Sequence, residues 1–326
     1  MKAYASAPGK VILTGEHFVV YGEPALVVAL DRRVTVKASE RSDVSIRVAS
    51  DLGISGIFEG ASFRAERGGT DSGRFLEPVR IAAEATLFKT GVKKGLNIEV
   101  QSDLPLGAGL GSSSATSVAT VAAVDKLLDT RLNQGDIAEL ALAAERFVHV
   151  NPSGVDPAVS THGGLILYKR GEGIKRLQMD TRLPLVIGNT GLTRSTGRLV
   201  SLVRERRDRL PDIVDPIIRL AGVLTTIAAT ALESGDLQKF GELMDLDQGL
   251  LAAIGVSNEA LDHLIYAARN ADALGAKLTG AGGGGCMIAL CTGGTQARIA
   301  DAIRGAGGAP ITAETSESGV QAWLEN

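Results

Sequence analysis

Apolar and polar residues alternate through the first fifty positions. Val11 and Leu13 precede Gly15-Glu16-His17, Val19 and Val20 follow it, and Ala25-Leu26-Val27-Val28-Ala29-Leu30 runs on, so the chain opens as strands joined by short turns. Val34-Thr35-Val36-Lys37-Ala38 and Ser45-Ile46-Arg47-Val48 continue the β pattern. Residues 53–73 turn glycine-rich and polar with little periodicity, which predicts exposed loops or hairpin turns. Arg80 to Phe88 then reads as a helix and Leu96 to Val100 as a strand. After Leu104-Pro105-Leu106-Gly107-Ala108-Gly109-Leu110-Gly111-Ser112-Ser113-Ser114-Ala115, the residues Val118, Val121, Ala122, Leu127 and Leu128 fall at helical spacing, so a glycine loop feeds a helix N-terminus. A second amphipathic helix starts at Asp136, with Ile137, Leu140, Ala141, Ala144 and Val148 on one face. Asn151-Pro152 stops it.

Beyond Gly164-Leu165-Ile166-Leu167-Tyr168 the texture changes. Leu185-Val186-Ile187-Gly188 opens a region dominated by longer helices between Gly197 and Arg269, and a domain boundary is expected between Thr181 and Pro184. Leu274-Gly275-Ala276-Lys277-Leu278-Thr279, a glycine run and Cys286-Met287-Ile288-Ala289-Leu290-Cys291 read as strand, turn and strand, and Ala297 to Arg304 as a helix. Strands interleaved with helices in both halves predict an α+β protein of two domains, residues 1–182 and 183–326.

The 326-residue length agrees, because it exceeds what one hydrophobic core usually organises. With 44% hydrophobic and 22% charged residues the chain is neither disordered nor fibrous. A net charge of -3 supplies no basic field, so neither nucleic acid nor an anionic membrane is an expected partner. No apolar leader follows Met1, and no window is read as long enough to span a bilayer, which makes the cytoplasm the expected location. The two cysteines, Cys286 and Cys291, lie in an apolar stretch and read as reduced core thiols.

Glycine departs from the average: there are 40, gathered into short runs. In the loop from Pro105 to Ser114, glycines let backbone N–H groups approach an anion, and the following helix points its positive end there. Phosphate is the natural guest, although no G-x-x-x-x-G-K-[ST] occurs, and a glycine-rich turn with a serine cap is the plainer alternative. Gly280-Ala281-Gly282-Gly283-Gly284-Gly285 formally satisfies G-x-G-x-x-G. It is followed by an apolar strand instead of a helix, so the dinucleotide reading fails. So many adjacent glycines raise the entropy lost on folding, which implies close approach to that backbone.

Glu145 sits at the edge of the buried face of the Asp136 helix, where an ordinary boundary glutamate is also possible. Asp156, before Pro157, is expected in the turn that follows and is equally read as a turn-forming residue. Lys10 is embedded in a strand, where its stem could simply snorkel. The four histidines, His17, His149, His162 and His263, have no zinc-site spacing.

Pro8-Gly9-Lys10, Pro105 to Ala115 and Lys277 to Cys286, in that order, resemble the three motifs of the GHMP kinases. Gly15-Glu16-His17 with Tyr21-Gly22, and Asn151-Pro152-Ser153-Gly154-Val155-Asp156 leading to Ser160-Thr161 and Gly163-Gly164, are similar to its mevalonate kinase branch in the short archaeal form. The resemblance covers nearly the whole chain except residues 51–73. It implies a fold with an N-terminal domain like domain 2 of ribosomal protein S5 and a ferredoxin-like C-terminal domain. It also implies a homodimer, ATP and Mg2+ as cofactors, and mevalonate as the acceptor. Phosphomevalonate, homoserine or a sugar as acceptor, or a non-catalytic ligand sensor, are the alternatives the same loops allow.

By the same resemblance, Asp156 is the catalytic base and Lys10 the lysine that polarises the acceptor hydroxyl. Ser113 and Glu145 are the metal ligands, and Pro105, Gly107, Ala108, Gly109, Leu110, Gly111, Ser112, Ser113 and Ser114 bind ATP. Gly282 and Gly283 support the phosphate loop from the other domain. Lys10, His17, Asp156 and Thr196 contact the substrate. Phosphoryl transfer asks mainly for positioning and charge neutralisation, which suits so short a set of parts.

Overall fold

The computed structural model describes residues 1–105, 108–148, 154–179, 182–193 and 195–325. Its first half is built on a sheet with β1 Lys2–Thr14, β2 Ala25–Arg41, β3 Ile46–Ser50, β4 Ile54–Glu59, β5 Ser62–Arg67, β6 Gly95–Ser102, β7 Leu165–Lys169 and β8 Gly173–Leu177. Four helices accompany it: α1 Gly73–Thr90, α2 Ser112–Leu128, α3 Gln134–Val148 and α4 Val155–His162. The second half holds β9 Pro184–Asn189, α5 Thr196–Arg209, α6 Pro211–Glu233, α7 Leu237–Ala253, α8 Glu259–Asn270, β10 Gly275–Leu278, β11 Cys286–Leu290, α9 Gln296–Gly305 and β12 Ala309–Glu314. Finally β13 Gln321–Leu324 returns to the first sheet.

The first sheet has the order β13-β1-β2-β6-β3-β4-β5, with β7 and β8 extending from β2. The alternation read along residues 2–41 is the cause: apolar positions of β1 and β2 face α2, and polar ones face out. α2 is Ala- and Val-rich on every side and almost wholly buried, with Ala115, Val118, Ala119, Val121, Ala122 and Val124 in the core. Its small residues let the backbone lie close to β1 and β2, and each buried valine contributes roughly 1.5–3 kcal/mol. That packing fixes where its N-terminus points.

The second sheet runs β10-β11-β9-β12, all antiparallel. Numbered along the chain that is 2-3-1-4, and with helices between β9 and β10 and between β11 and β12 it is the expected ferredoxin-like β-α-β-β-α-β arrangement. The mixed α+β architecture with two sheets is therefore as expected. Residues 182 and 183, the expected division, fall between β8 and β9, whereas residues 321–324 lie on the edge of the first sheet beside β1.

Within residues 53–73, where exposed loops or hairpin turns were expected, β4 and β5 form a hairpin whose Phe58 and Phe63 rings pack 4.8 Å apart, and the chain leads into α1. Two sequence expectations are corrected. A short helix, α4, stands where only a turn was read. α6 is long and apolar enough, by length and composition alone, to cross a bilayer, although no such window was expected. Its inner face, including Val214, Ile218, Ala221, Leu224 and Ala228, is core packed against α7 and the first sheet. Ile213, Leu220 and Val223 form an outer stripe.

Candidate active site

The strand register brings the first element of the site into place. Pairing between β1 and β2 slips between Pro8 and Lys10, a bulge at Gly9 that re-aims the lysine. An added Cβ at Gly9 would stand 2.8 Å from the Leu110 carbonyl, which accepts the Lys10 backbone N–H at 2.9 Å. Strand and glycine loop are thereby stitched together, and only glycine fits. Lys10 is buried, and its Nζ lies 3.1 Å from Asp156 Oδ2.

Asp156 comes from the first turn of α4, not from a turn. Gly154 starts that helix in the left-handed region at φ 81°, and Ser160 Oγ, one turn later, donates to the Pro8 carbonyl at 2.9 Å. The hydroxyl thus ties α4 to the strand carrying Lys10, which sets the spacing of the ion pair.

Gly111, at φ 75°, is the residue before α2, so the free N–H groups of Ser112, Ser113 and Ser114 open toward the same region. Ala108 and Leu110 are buried and Gly109 takes φ 79°. Pro105 is partly buried, and Gly107 lies outside the described residues. Ser113 is partly exposed and its carbonyl accepts from Ser117 Oγ at 3.1 Å.

Glu145 reaches in from α3, whose start is fixed by a reciprocal pair: the Asp136 N–H donates to Asn133 Oδ1, and the Asn133 N–H to Asp136 Oδ2. The glutamate is 6% exposed, and its Oε2 has no hydrogen-bond partner. Burial first and the nearby Asp156 charge second push its carboxyl up to about 8, against the opposing pull of Lys10 and a hydrogen bond from Ser114. Ser114, expected among the ATP contacts, is therefore also the serine that touches Glu145.

Lys10, Asp156, Glu145 and the head of α2 thus converge. His17 sits elsewhere on the same strand's exit, in the left-handed region at φ 61°, and its Nε2 donates to the Ala281 carbonyl at 2.8 Å. Gly282 and Gly283 both have positive φ. A Cβ at Gly282 would collide with the Val256 carbonyl, and one at Gly283 would stand 2.9 Å from Leu199 of α5, so their immediate neighbours belong to the second half. Thr196 is exposed at the start of α5. Among the described residues no group of three or more His, Cys, Asp and Glu could hold a metal. Sequence reasoning named Glu16 and Lys277 only within motifs and passed over Asp247, yet the three form a fully buried charged cluster beside His17.

A partly exposed aspartate paired with a buried lysine beside a positive helix end can accept a proton from a hydroxyl while a polyanion is held next to it. Comparison with known proteins agrees. Residues 77–164 match the GHMP kinases N terminal domain and residues 228–309 the GHMP kinases C terminal domain. The mevalonate kinase of Pyrococcus abyssi is 43% identical over 97% of this chain and 96% of its own length, and that of Aeropyrum pernix is 35% identical over 98% of each. Among solved structures, L. major mevalonate kinase in complex with R-mevalonate superposes with a TM-score of 0.84 at 27% identity, over 96% of both chains.

Proposed function

This chain belongs to the GHMP kinases, and from that premise we propose that it transfers the γ-phosphoryl group of ATP to the primary hydroxyl of mevalonate, giving 5-phosphomevalonate. End-to-end similarity to proteins of that activity supports the acceptor. The observation that carries the chemistry is the 3.1 Å contact between Lys10 Nζ and Asp156 Oδ2 beside the head of α2.

Asp156 takes the proton of the attacking hydroxyl, and Lys10 offsets the negative charge that develops on that oxygen. The loop from Pro105 to Ser114 holds the ATP phosphates on the N–H groups that α2 leaves unpaired. His17 and Thr196 contact mevalonate, and Gly282 and Gly283 support the phosphate loop from the 183–326 domain. Glu145 fits a Mg2+ ligand, together with Ser113, because a buried carboxylate oxygen without a partner, on a carboxyl pushed up to about 8, lacks a cation. Bound there, Mg2+ would neutralise charge on the phosphate oxygens.

The outer stripe Ile213, Leu220 and Val223 on α6 supports a homodimer, since such a stripe exposes apolar surface that a second copy would cover. Two buried cysteines, too few to staple a chain of this length, support a cytoplasmic location.

The test is a coupled ADP-release assay with mevalonate, phosphomevalonate, homoserine and galactose as acceptors. Mevalonate should exceed the others by at least about 10²-fold in kcat/KM. Preference for another acceptor refutes the substrate, and absence of ADP release with all four refutes the kinase.

A further inference from the structure

The end of β1 is fastened to the segment 277–281 by three successive links. Thr279 Oγ1 accepts the Ile12 N–H at 3.1 Å and donates to the Ile12 carbonyl at 3.0 Å. Lys277 Nζ pairs with Glu16, and His17 Nε2 reaches the Ala281 carbonyl. These links cross from the first half of the chain to the second, and they lead directly into the glycine run.

The middle link is chemically unusual. The side chains of Lys277, Glu16 and Asp247 are all 0% exposed. Lys277 Nζ also donates to the Leu278 carbonyl at 2.7 Å and lies 3.4 Å from Asp247 Oδ2. Glu16 Oε2 has no hydrogen-bond partner, and Asp247 is held by Lys277, by the Glu16 carboxyl and by the Gly15 backbone. A well-packed apolar trio would hold the seam as firmly as a buried ion cluster, so stability alone does not account for these residues. What charge adds is register, because a buried ammonium is costly unless its carboxylates stay within hydrogen-bond reach. Two carboxylates against one ammonium also leave a surplus negative charge in the interior, which a single retained proton removes.

We propose that Glu16, Lys277 and Asp247 are positioning residues: a buried charge triad that, with one proton held between the two carboxyls, registers His17 against the glycine run and thereby shapes the acceptor pocket. The inference rests on the kinase reading, in which His17 contacts the acceptor.

Burial raises Glu16 most, with Asp247 adding to the shift and Lys277 opposing it, so its carboxyl is pushed up to about 7, and burial moves Asp247 in the same direction. The charged groups acting on Glu16 are Lys277 from β10 and Asp247 from α7. Beyond them, Gln248 bonds the Leu278 N–H and reaches Asp262 of α8, and Asp245 with Arg269 flanks Ala276. As pH rises above neutrality, the second carboxyl ionises beside the first, and repulsion loosens the Glu16–His17 segment from 277–281.

Two readouts on the full chain test this, only one of which needs catalysis. The acceptor KM should rise on the order of tenfold from about pH 6 to about pH 9 in the wild type and stay flat in Glu16→Gln and Asp247→Asn. In parallel, hydrogen exchange at 280–285, corrected for its intrinsic pH dependence, should speed up over the same range in the wild type only. Lys277→Met could fail to fold, so the decisive variant is Glu16→Gln with Lys277→Met, in which Asp247 is the one ionisable member of the triad left and stays neutral by keeping its proton. It should fold, yet raise the acceptor KM about tenfold and speed exchange at 280–285. Equal pH dependence in wild type and Glu16→Gln, or wild-type KM and exchange in the double variant, overturns the proposal. Should the wild type release no ADP, the kinase reading fails while the exchange data still decide the triad.

Discussion

Replacing Gly111 by alanine is the sharpest probe of how the glycine loop serves the ion pair. At φ 75° an L-residue carries a backbone penalty of roughly 1–2 kcal/mol. The new Cβ would also stand 2.8 Å from Lys10 Cγ and 3.3 Å from Lys10 Cε. Cγ is close to the backbone, and Lys10 is walled in by the loop and by Asp156, so the stem must change rotamer or the head of α2 must retreat. Either movement displaces Nζ from the 3.1 Å contact with Asp156 or the phosphate-facing N–H groups from their position. A displacement near 1 Å costs about 10²-fold in turnover.

Gly91 supplies the control. It closes α1 at φ 71°, and an added Cβ meets nothing within 4 Å. Gly91→Ala therefore carries the same backbone penalty without the collision. Both variants should lose about 2–4 °C in Tm per kcal/mol by differential scanning fluorimetry. Only Gly111→Ala should lose turnover in the ADP-release assay. Full activity in Gly111→Ala, or an equal activity loss in Gly91→Ala, would show that the loop's closeness to Lys10 is not what matters.

Other outcomes follow from the same geometry. Asp156→Asn should lower kcat by at least about 10³-fold while leaving the KM for ATP within a few fold, and a near wild-type rate would remove Asp156 as the base. Glu16 and Glu145, pushed up to about 7 and about 8, bind protons in the folded state that the unfolded chain has already released. Their contribution to stability is complete below the ordinary carboxyl range and is lost as pH rises through about 7 to 8. In EDTA, Tm should accordingly fall between about pH 5 and about pH 9, and fall less in Glu145→Gln; identical slopes would contradict the raised glutamate. Cys286 and Cys291 are both buried, with the Cys291 thiol pushed up to about 12 by burial, so neither should react with a disulfide reagent until the protein is unfolded in guanidinium. Rapid labelling of native protein would contradict that burial.

Much of the fold was legible where the signal is short-range. The alternation in β1 and β2, the loop-to-helix passage at Gly111 and the strand-turn-strand of 274–291 each depend on neighbours within a few residues. The short helix α4 was not legible, because a proline near its start and a glycine before it are also what a turn requires. That is why Asp156 was expected in a turn. The resemblance names Ser113 and Glu145 as metal ligands, but that the neighbouring Ser114 bonds Glu145 depends on helix phase and was not legible. The Glu16–Lys277 pair joins residues 261 positions apart, beyond the reach of any local pattern. Its one trace in the sequence is a lysine inside the apolar strand Leu274 to Thr279. α6 satisfied the composition of a membrane span because it carries apolar residues on its outer stripe as well as in the core.

The return of β13 to the first sheet bears on how the molecule is made. Tyr4 bonds Glu325, 321 positions away, and stacks on Trp323, so the outer edge of the strand that carries Lys10 waits for a partner until nearly all of the chain has left the ribosome. During synthesis that edge is an open template for mispairing, and such distant closure makes for slow maturation. A tag or fusion placed after β13 would therefore act at the far end of the catalytic strand, however remote from the cleft it looks on the map of the sequence.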